Sequence, residues 1–177
     1  MRTTRFLALA LVACVAVFTS GCLFGGSKAE TAQEFLAKGL NAHQAGRLDE
    51  AQEAYREVLK KEPNNKWAHY NLGLIAQTQN RPQEAETEYR RALSVDSNFT
   101  AALFNLAIVR ANAGSKNEAI ALYRRVLAVD ANHATAHLNL GFALIDVGQR
   151  AEGERQLRRA VDLDPTLTSR VPPDIFR

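Results

Sequence analysis

Hydrophobic and polar positions along residues 32–167 follow the three- and four-residue spacing of amphipathic helices. The whole pattern returns every 34 residues, in blocks that begin at Ala32, Lys66, Thr100 and Ala134. Each block holds two helical stretches, which cannot bury their apolar faces within one block. A fixed period of this length therefore predicts a stack of helical hairpins, an architecture that binds other molecules far more often than it catalyses.

One residue suited to a left-handed backbone separates the two stretches of each block: Gly46, Asn80, Gly114 or Gly148. We expect each first helix to end there. A Glu follows four residues later in every block, where it favours the positive end of the second helix. Ser115 with Glu118 has the pattern of a capping box, and Pro82 suits a first helical position.

Small residues fill two further columns, at which the helices of a hairpin must approach closely: Gly39, Gly73, Ala107 and Gly141, and Ala51, Ala85, Ala119 and Gly153. We expect Ala85→Leu to overpack its hairpin. We expect Gly153→Ala to be neutral or stabilising, because glycine weakens a helix interior.

The repeated residues resemble the tetratricopeptide repeat (TPR) family, whose pattern includes a Leu-Gly step and an Ala followed four residues later by an aromatic. The two steps are Leu72–Gly73, Leu106–Ala107 and Leu140–Gly141, and Ala51/Tyr55, Ala85/Tyr89 and Ala119/Tyr123. The fourth block departs from the pattern, with Gly153/Leu157. The resemblance implies an all-α fold, a right-handed superhelical solenoid of four helix-turn-helix hairpins at residues 32–65, 66–99, 100–133 and 134–167.

Residues 1–21 have the form of an export signal, with Arg2 and Arg5 before an apolar run that ends in small residues. Cys22 follows, as in the lipobox of bacterial lipoproteins, and this resemblance implies that Cys22 carries the acyl chains of the mature protein. Residues 22–31 then form a tether. Two alternatives remain open. One is lipidation at Cys14, and the other is an uncleaved N-terminal anchor, because the run from Phe6 to Phe24 is close to the lower limit of a membrane-spanning helix, about 17 residues.

All of these alternatives place the repeats in the cell envelope, outside the cytoplasm. If the organism has an outer membrane, the resemblance to sorted lipoproteins implies transport of the anchored protein to that membrane, because Leu23 rather than Asp follows Cys22.

Composition argues against several classes of function. The chain has 22 basic and 19 acidic residues. Removing Arg2 and Arg5 with the signal leaves 20 basic residues against 19, so composition gives nucleic-acid binding no support. No Cys follows Cys22, no Gly-rich phosphate loop is present, and the His133–His137 pair lacks an HExxH context. We expect no enzyme, metal site, cofactor or small-molecule substrate.

In the TPR family the first helices of the hairpins line a concave face. By that resemblance we expect one continuous peptide-binding groove of ten residues: Trp67, Tyr70, Asn71, Leu74, Phe104, Asn105, Ile108, Leu138, Asn139 and Phe142. The groove lacks the residues with which chaperone-binding members grip a C-terminal carboxylate. Its three Asn resemble the asparagine column of the O-linked N-acetylglucosamine transferases, in which an amide pairs with both backbone groups of a peptide. The alternatives are that these Asn make local contacts and that Tyr70 and Phe104 belong to the core.

Two features lie outside this groove. Arginine pairs recur on the second helices, at Arg90–Arg91, Arg124–Arg125 and Arg158–Arg159. We expect a solvated convex face with helical ion pairs such as Glu86–Arg90, and contact with anionic lipid is the alternative. Residues 168–177 are too short and proline-rich for a capping helix, so Val171, Ile175 and Phe176 either cover the last hairpin or meet a partner.

These observations predict a membrane-anchored TPR lipoprotein, an adaptor or assembly factor in the bacterial cell envelope whose ligand is an extended apolar peptide segment. Pilus-assembly pilotins and cell-wall-enzyme adaptors combine a lipid anchor with such repeats in the same way. The alternatives are a self-assembling structural envelope protein and an accessory subunit of an envelope enzyme.

Overall fold

The computed structural model describes residues 30–176, so the predicted signal peptide, Cys22 and most of the tether lie outside the described residues, as does the side chain of Phe176. Eight α-helices and no strand are found in the described chain. The helices are α1 (Ala32–Gln44), α2 (Leu48–Lys61), α3 (Lys66–Thr78), α4 (Pro82–Val95), α5 (Thr100–Asn112), α6 (Lys116–Val129), α7 (Ala134–Asp146) and α8 (Arg150–Leu163).

Consecutive helices pair into four hairpins, which we number 1 to 4 along the chain. The most extensive contacts join the two helices within a hairpin, and smaller ones join the second helix of one hairpin to the first helix of the next. Each hairpin therefore touches mainly its neighbours in sequence, which is the arrangement of a solenoid. The predicted all-α solenoid is confirmed.

The turn within each hairpin has the backbone that the sequence predicts. Gly46, Asn80, Gly114 and Gly148 have φ angles of 73°, 54°, 79° and 82°. The next amide then reaches back to a carbonyl of the first helix, as in the bond of 2.8 Å from Arg81 N–H to Ala76 O. Pro82 is the first residue of α4, where no N–H is needed.

The predicted capping box at Ser115 and Glu118 is wrong. Ser115 makes no side-chain cap to α6, because its hydroxyl accepts a hydrogen bond from Arg110 and Glu118 pairs with arginines of α4 and α5. The capping box of the described chain lies at the start of α1, where Thr31 and Glu34 bond reciprocally.

Aromatic rings lie directly against the small residues within the hairpins. A Cβ added at Gly73 would stand 2.6 Å from the Tyr89 ring, and one at Gly39 would stand 2.6 Å from the Tyr55 ring. The prediction that Gly153→Ala is neutral or stabilising is wrong for a related reason. A Cβ on Gly153 would stand 2.7 Å from the Gly141 carbonyl oxygen and 3.2 Å from the Ile145 nitrogen, both of which are helix backbone that cannot move aside.

Two tyrosines in the same column differ in their hydroxyl contacts. The Tyr89 hydroxyl donates to Gln77 Oε1 at 2.8 Å. The Tyr55 hydroxyl is fully buried and has no hydrogen-bond partner among the described residues. Burial raises the pKa of Tyr55 to about 12, so this hydroxyl stays protonated at neutral pH.

The second helices carry ion pairs that join successive hairpins. Arg90 Nη2 lies 2.6 Å from Glu118 Oε1 across the junction of hairpins 2 and 3. Arg124 Nη2 lies 2.9 Å from Glu152 Oε1 across the next junction. The expected helical pair Glu86–Arg90 is also present, at 2.9 Å.

Arg110 of α5 closes a network at the junction of hairpins 2 and 3. Its guanidinium donates to Glu86 at 2.9 Å, to Glu118 at 2.7 Å and to Ser115 at 2.8 Å. Hydrogen bonds from Arg90 and then Arg110 hold the pKa of Glu118 below its usual value. The network fixes two hairpins against each other from three helices.

A C-terminal cap covers the end of hairpin 4. It consists of two short 3₁₀ helices, Pro165–Arg170 and Pro173–Phe176. Leu167, Val171 and Ile175 are buried in one cluster with Leu138 and Leu157. The cap thus takes the place that the first helix of another hairpin would occupy. Of the two alternatives for this segment, the structure shows Val171 and Ile175 covering the last hairpin.

Candidate peptide-binding groove

The first helices of hairpins 3 and 4 enclose an open cavity of about 420 Å³, which we call the groove cavity. It is lined by Ile108, Ala111, Asn112, Lys116, Tyr123, Asn139, Phe142, Ala143, Asp146 and Arg170. Three of the ten predicted groove residues, Ile108, Asn139 and Phe142, therefore surround one space. The apolar surface of this cavity comes from both α5 and α7.

Trp67 lies at a different depression, of about 720 Å³, among the loops that join hairpins 1, 2 and 3. Its indole is 49% exposed and meets the Phe99 ring edge-on, with centroids 4.7 Å apart. The ammonium of Lys66 lies 5.5 Å from the indole centroid. This depression shares no lining residue with the groove cavity, so the ten predicted residues do not line a single cavity.

Tyr70 and Phe104 are half-buried and pack against the central core, as does Leu74. The Tyr70 ring lies 5.1 Å from Phe99, and the Phe104 ring is stacked on His133 at 4.9 Å between centroids. Both aromatic residues therefore belong partly to the core and keep one side toward solvent.

Leu138 does not contribute to an accessible groove, and its prediction as a groove residue is wrong. The side chain is completely buried in the cluster that the C-terminal cap forms with hairpin 4. The sequence pattern placed Leu138 correctly on the first helix, but the cap lies over it.

The three asparagines of the predicted column make local hydrogen bonds. Asn71 is buried and donates to Trp67 O at 2.8 Å, within its own helix. Asn105 donates to the Tyr70 hydroxyl of the preceding hairpin at 3.1 Å. Asn139 bonds the Tyr123 hydroxyl, whose pKa burial raises to about 12. An amide has two N–H groups and a carbonyl oxygen, so each of these contacts uses only part of its capacity.

The histidines near the groove have structural contacts. His69 Nδ1 lies 2.7 Å from Glu88 Oε2, and its Nε2 lies 3.0 Å from Pro63 O. His137 contacts Gln156 and Ala131 O in the corresponding way. His133 accepts a hydrogen bond from Ala136 N and thereby caps α7. Over residues 30–176, no group of three His, Cys, Asp or Glu side chains is placed to hold a metal ion.

Two features of the groove cavity are absent from the sequence prediction. Lys116 Nζ lies 2.6 Å from Asp146 Oδ2, which links α6 to α7 at the rim. Arg170 of the C-terminal cap also lines the cavity, and its side chain is exposed. The 34-residue period could not have revealed Arg170, because the cap does not follow that period.

None of the helices described in residues 30–176 has both the length and the apolar character needed to span a membrane.

Comparisons with known proteins support one family. Two family models, both described as tetratricopeptide repeat, match residues 36–102 and 70–136, and residues 112–171. No curated protein matches the sequence.

Solved structures show the same fold. YrrB, "a TPR protein with an unusual peptide-binding site", is 25% identical with a TM-score of 0.66, over 76% of this chain and 69% of YrrB. MamA from Desulfovibrio magneticus RS-1 is 24% identical with a TM-score of 0.70, over 76% of each chain. PilF of Pseudomonas aeruginosa is 23% identical with a TM-score of 0.67, over 81% of this chain and 64% of PilF. The chain belongs to the tetratricopeptide repeat family.

Proposed function

We propose that the protein is a membrane-anchored adaptor of the bacterial cell envelope, which binds an extended apolar segment of a partner along the first helices of hairpins 2 to 4. The TPR fold supports a role in protein–protein interaction or peptide binding. The envelope location, the anchor and the apolar ligand are the proposed parts.

The groove cavity is the observation that carries this proposal. Ile108 and Phe142 stand on opposite helices and present apolar surface to one open space. An apolar side chain that entered this space would gain about 1.5–3 kcal/mol from burial. Asn139 beside it retains bonding capacity for a peptide backbone, whatever the sequence of the ligand.

Tyr70, Leu74, Phe104 and Asn105 extend the same surface toward hairpin 2, because they occupy the corresponding columns of α3 and α5. An extended strand could therefore follow the first helices across successive hairpins. YrrB, a similar TPR protein, is described as having an unusual peptide-binding site, which is consistent with peptide binding by such a surface.

The partner is to be found by crosslinking the anchored protein in its own envelope and identifying the captured protein. Its binding segment, made as a peptide, is then titrated against variants. Asn105→Ala and Ile108→Ala should weaken binding without much change in melting temperature, and Arg124→Ala on the second helix should do little. Dependence on Arg124 with indifference to the groove variants would place the site on the outer surface and refute the proposal.

The proposed anchor is tested separately, because it does not depend on the groove. Two or three acyl chains on Cys22, at about 0.8 kcal/mol per buried CH₂, would hold the protein stably on a membrane. Replacing Cys22 by Ser should abolish palmitate labelling and release the protein from the membrane fraction. Unchanged processing and labelling would show that Cys22 is not the lipidated residue.

A further inference from the structure

We propose that Arg170 of the C-terminal cap recognises a carboxylate of the bound segment, next to the apolar side chain that fills the groove cavity. The inference rests on the proposed function and deepens it, because it names the chemistry of the ligand at one end of the groove. The carboxylate could belong to the C-terminus of the partner or to an Asp or Glu side chain.

The cap holds Arg170 firmly at this place. Leu167 and Val171, which flank it in sequence, are 6% and 5% exposed within the terminal cluster. The Val171 N–H donates to Thr168 O at 3.1 Å, and Asp174 pairs with Arg150 of α8 at 3.0 Å. The backbone that carries Arg170 is thus fixed on both sides, while the exposed Arg170 lines the groove cavity.

The charges around the cavity favour an anion. Three charged residues line it, namely Lys116, Asp146 and Arg170. Lys116 and Asp146 pair with each other at 2.6 Å and largely neutralise one another. Within residues 30–176, Arg170 has no ion-pair partner, so the cavity keeps one uncompensated positive charge.

A carboxylate is the anion that a peptide supplies, and a guanidinium can hold it through two parallel hydrogen bonds. Ile108 and Phe142 would hold the neighbouring apolar side chain. This arrangement differs from a carboxylate grip built from the first helices, because the cation comes from the cap outside the repeats.

The test uses the purified full chain in detergent and random octapeptide libraries with either a free C-terminus or a C-terminal amide. We expect the selected peptides to combine an apolar residue with a carboxylate within one or two positions. Their affinity should exceed that of neutral analogues by about tenfold. If peptides are selected only from the library with a free C-terminus, the recognised carboxylate is the C-terminus. If peptides that contain Asp or Glu are selected from both libraries, it is a side chain.

Arg170→Glu should reverse the preference toward Lys and Arg. Arg155→Glu makes the same charge change at an exposed position of α8 away from the cavity, and should leave the carboxylate preference intact. Equal melting temperatures for the two variants would show that both are folded. If Arg170→Glu keeps the preference while Ile108→Ala removes binding, the inference about Arg170 is wrong and the proposed function stands. If no peptide is bound, or if Ile108→Ala weakens none of the bound peptides, both the inference about Arg170 and the proposed function are contradicted.

Discussion

The outer face, formed by the second helices, and the groove face, formed by the first helices, use their polar residues differently. On the outer face Arg90 and Arg124 reach acidic residues of the next hairpin. At the groove cavity Lys116 and Asp146 also pair across hairpins 3 and 4, but Arg170 of the cap has no such partner within the described chain, and Trp67 is half exposed at the neighbouring depression. Polar groups that satisfy one another stabilise the stack, whereas unsatisfied and apolar groups remain available to a ligand.

This difference changes the interpretation of the arginine pairs. Arg125 donates to Ser97 O at 2.7 Å and Arg159 donates to Asn132 Oδ1 at 3.0 Å, so the second arginine of these pairs reaches the loop before its hairpin. Contact with anionic lipid would have to compete with these bonds. The arginines are better explained as links between hairpins than as a membrane-binding surface.

The largest loss of stability should follow from overpacking the layer between the two faces. Ala85→Leu adds volume at a fully buried site, and Gly153→Ala places a Cβ against helix backbone. Each should lower the free energy of unfolding by about 1–3 kcal/mol in urea denaturation. Ala121→Leu makes the same change as Ala85→Leu at an exposed position of α6 and should be nearly neutral. Equal losses at Ala85 and Ala121 would contradict the packing described here.

Adjacent residues of α5 should separate binding from stability. Ile108→Ala removes apolar surface from the groove cavity and should weaken a bound segment by about 2 kcal/mol, measured by titration calorimetry. Val109→Ala alters a residue that is only 5% exposed and belongs to the core. It should lower the melting temperature more than Ile108→Ala and leave affinity unchanged. If Val109→Ala weakened binding and Ile108→Ala did not, the ligand would bind elsewhere.

The tyrosine column should show a smaller effect, which depends on the hydroxyl partner. Tyr89→Phe loses the bond to Gln77 and should cost about 0.5–1.5 kcal/mol of stability. Tyr55→Phe removes a buried hydroxyl that has no partner in the described chain, so it should be neutral or stabilising. Chemical denaturation of the two variants gives the comparison directly, and an equal cost for both would show that Tyr55 has a bonding partner.

The smallest effect should be the pH dependence of the link between hairpins 2 and 3. The pKa of Glu118 is lowered from 4.5, mainly by Arg90, so its contribution is fully present above that value and is lost as pH falls through the depressed pKa. Arg110→Met should therefore lower the melting temperature at pH 7 and have progressively less effect in acid. A difference that did not change between pH 7 and pH 3 would show that the network contributes through packing alone.

The sequence predicted those features that depend on local backbone. A positive φ needs Gly or Asn, so the four turns could be located from Gly46, Asn80, Gly114 and Gly148. The 34-residue period likewise gave the number and order of the helices, because each hairpin contacts mainly its neighbours.

The errors arose where contacts with other helices or with the cap decide the outcome. Ser115 was predicted to cap α6, but Arg110 takes its hydroxyl and the partners of Glu118 come from α4 and α5. The crowding at Gly153 depends on how closely α7 approaches α8. The burial of Leu138 and the position of Arg170 depend on the fold of the cap. The cap does not follow the 34-residue period, so the period could not predict them.

Photo-crosslinking tests most directly whether the groove face is the binding surface. A photoreactive phenylalanine analogue is placed either at Phe142 in the groove cavity or at Arg124 on the outer face of the full-length protein in its own envelope. We expect a discrete crosslinked partner from position 142 that is absent from position 124, and loss of this product when Ile108 is replaced by Ala. A partner captured from position 124 and not from position 142 would contradict the assignment of the groove face as the binding surface.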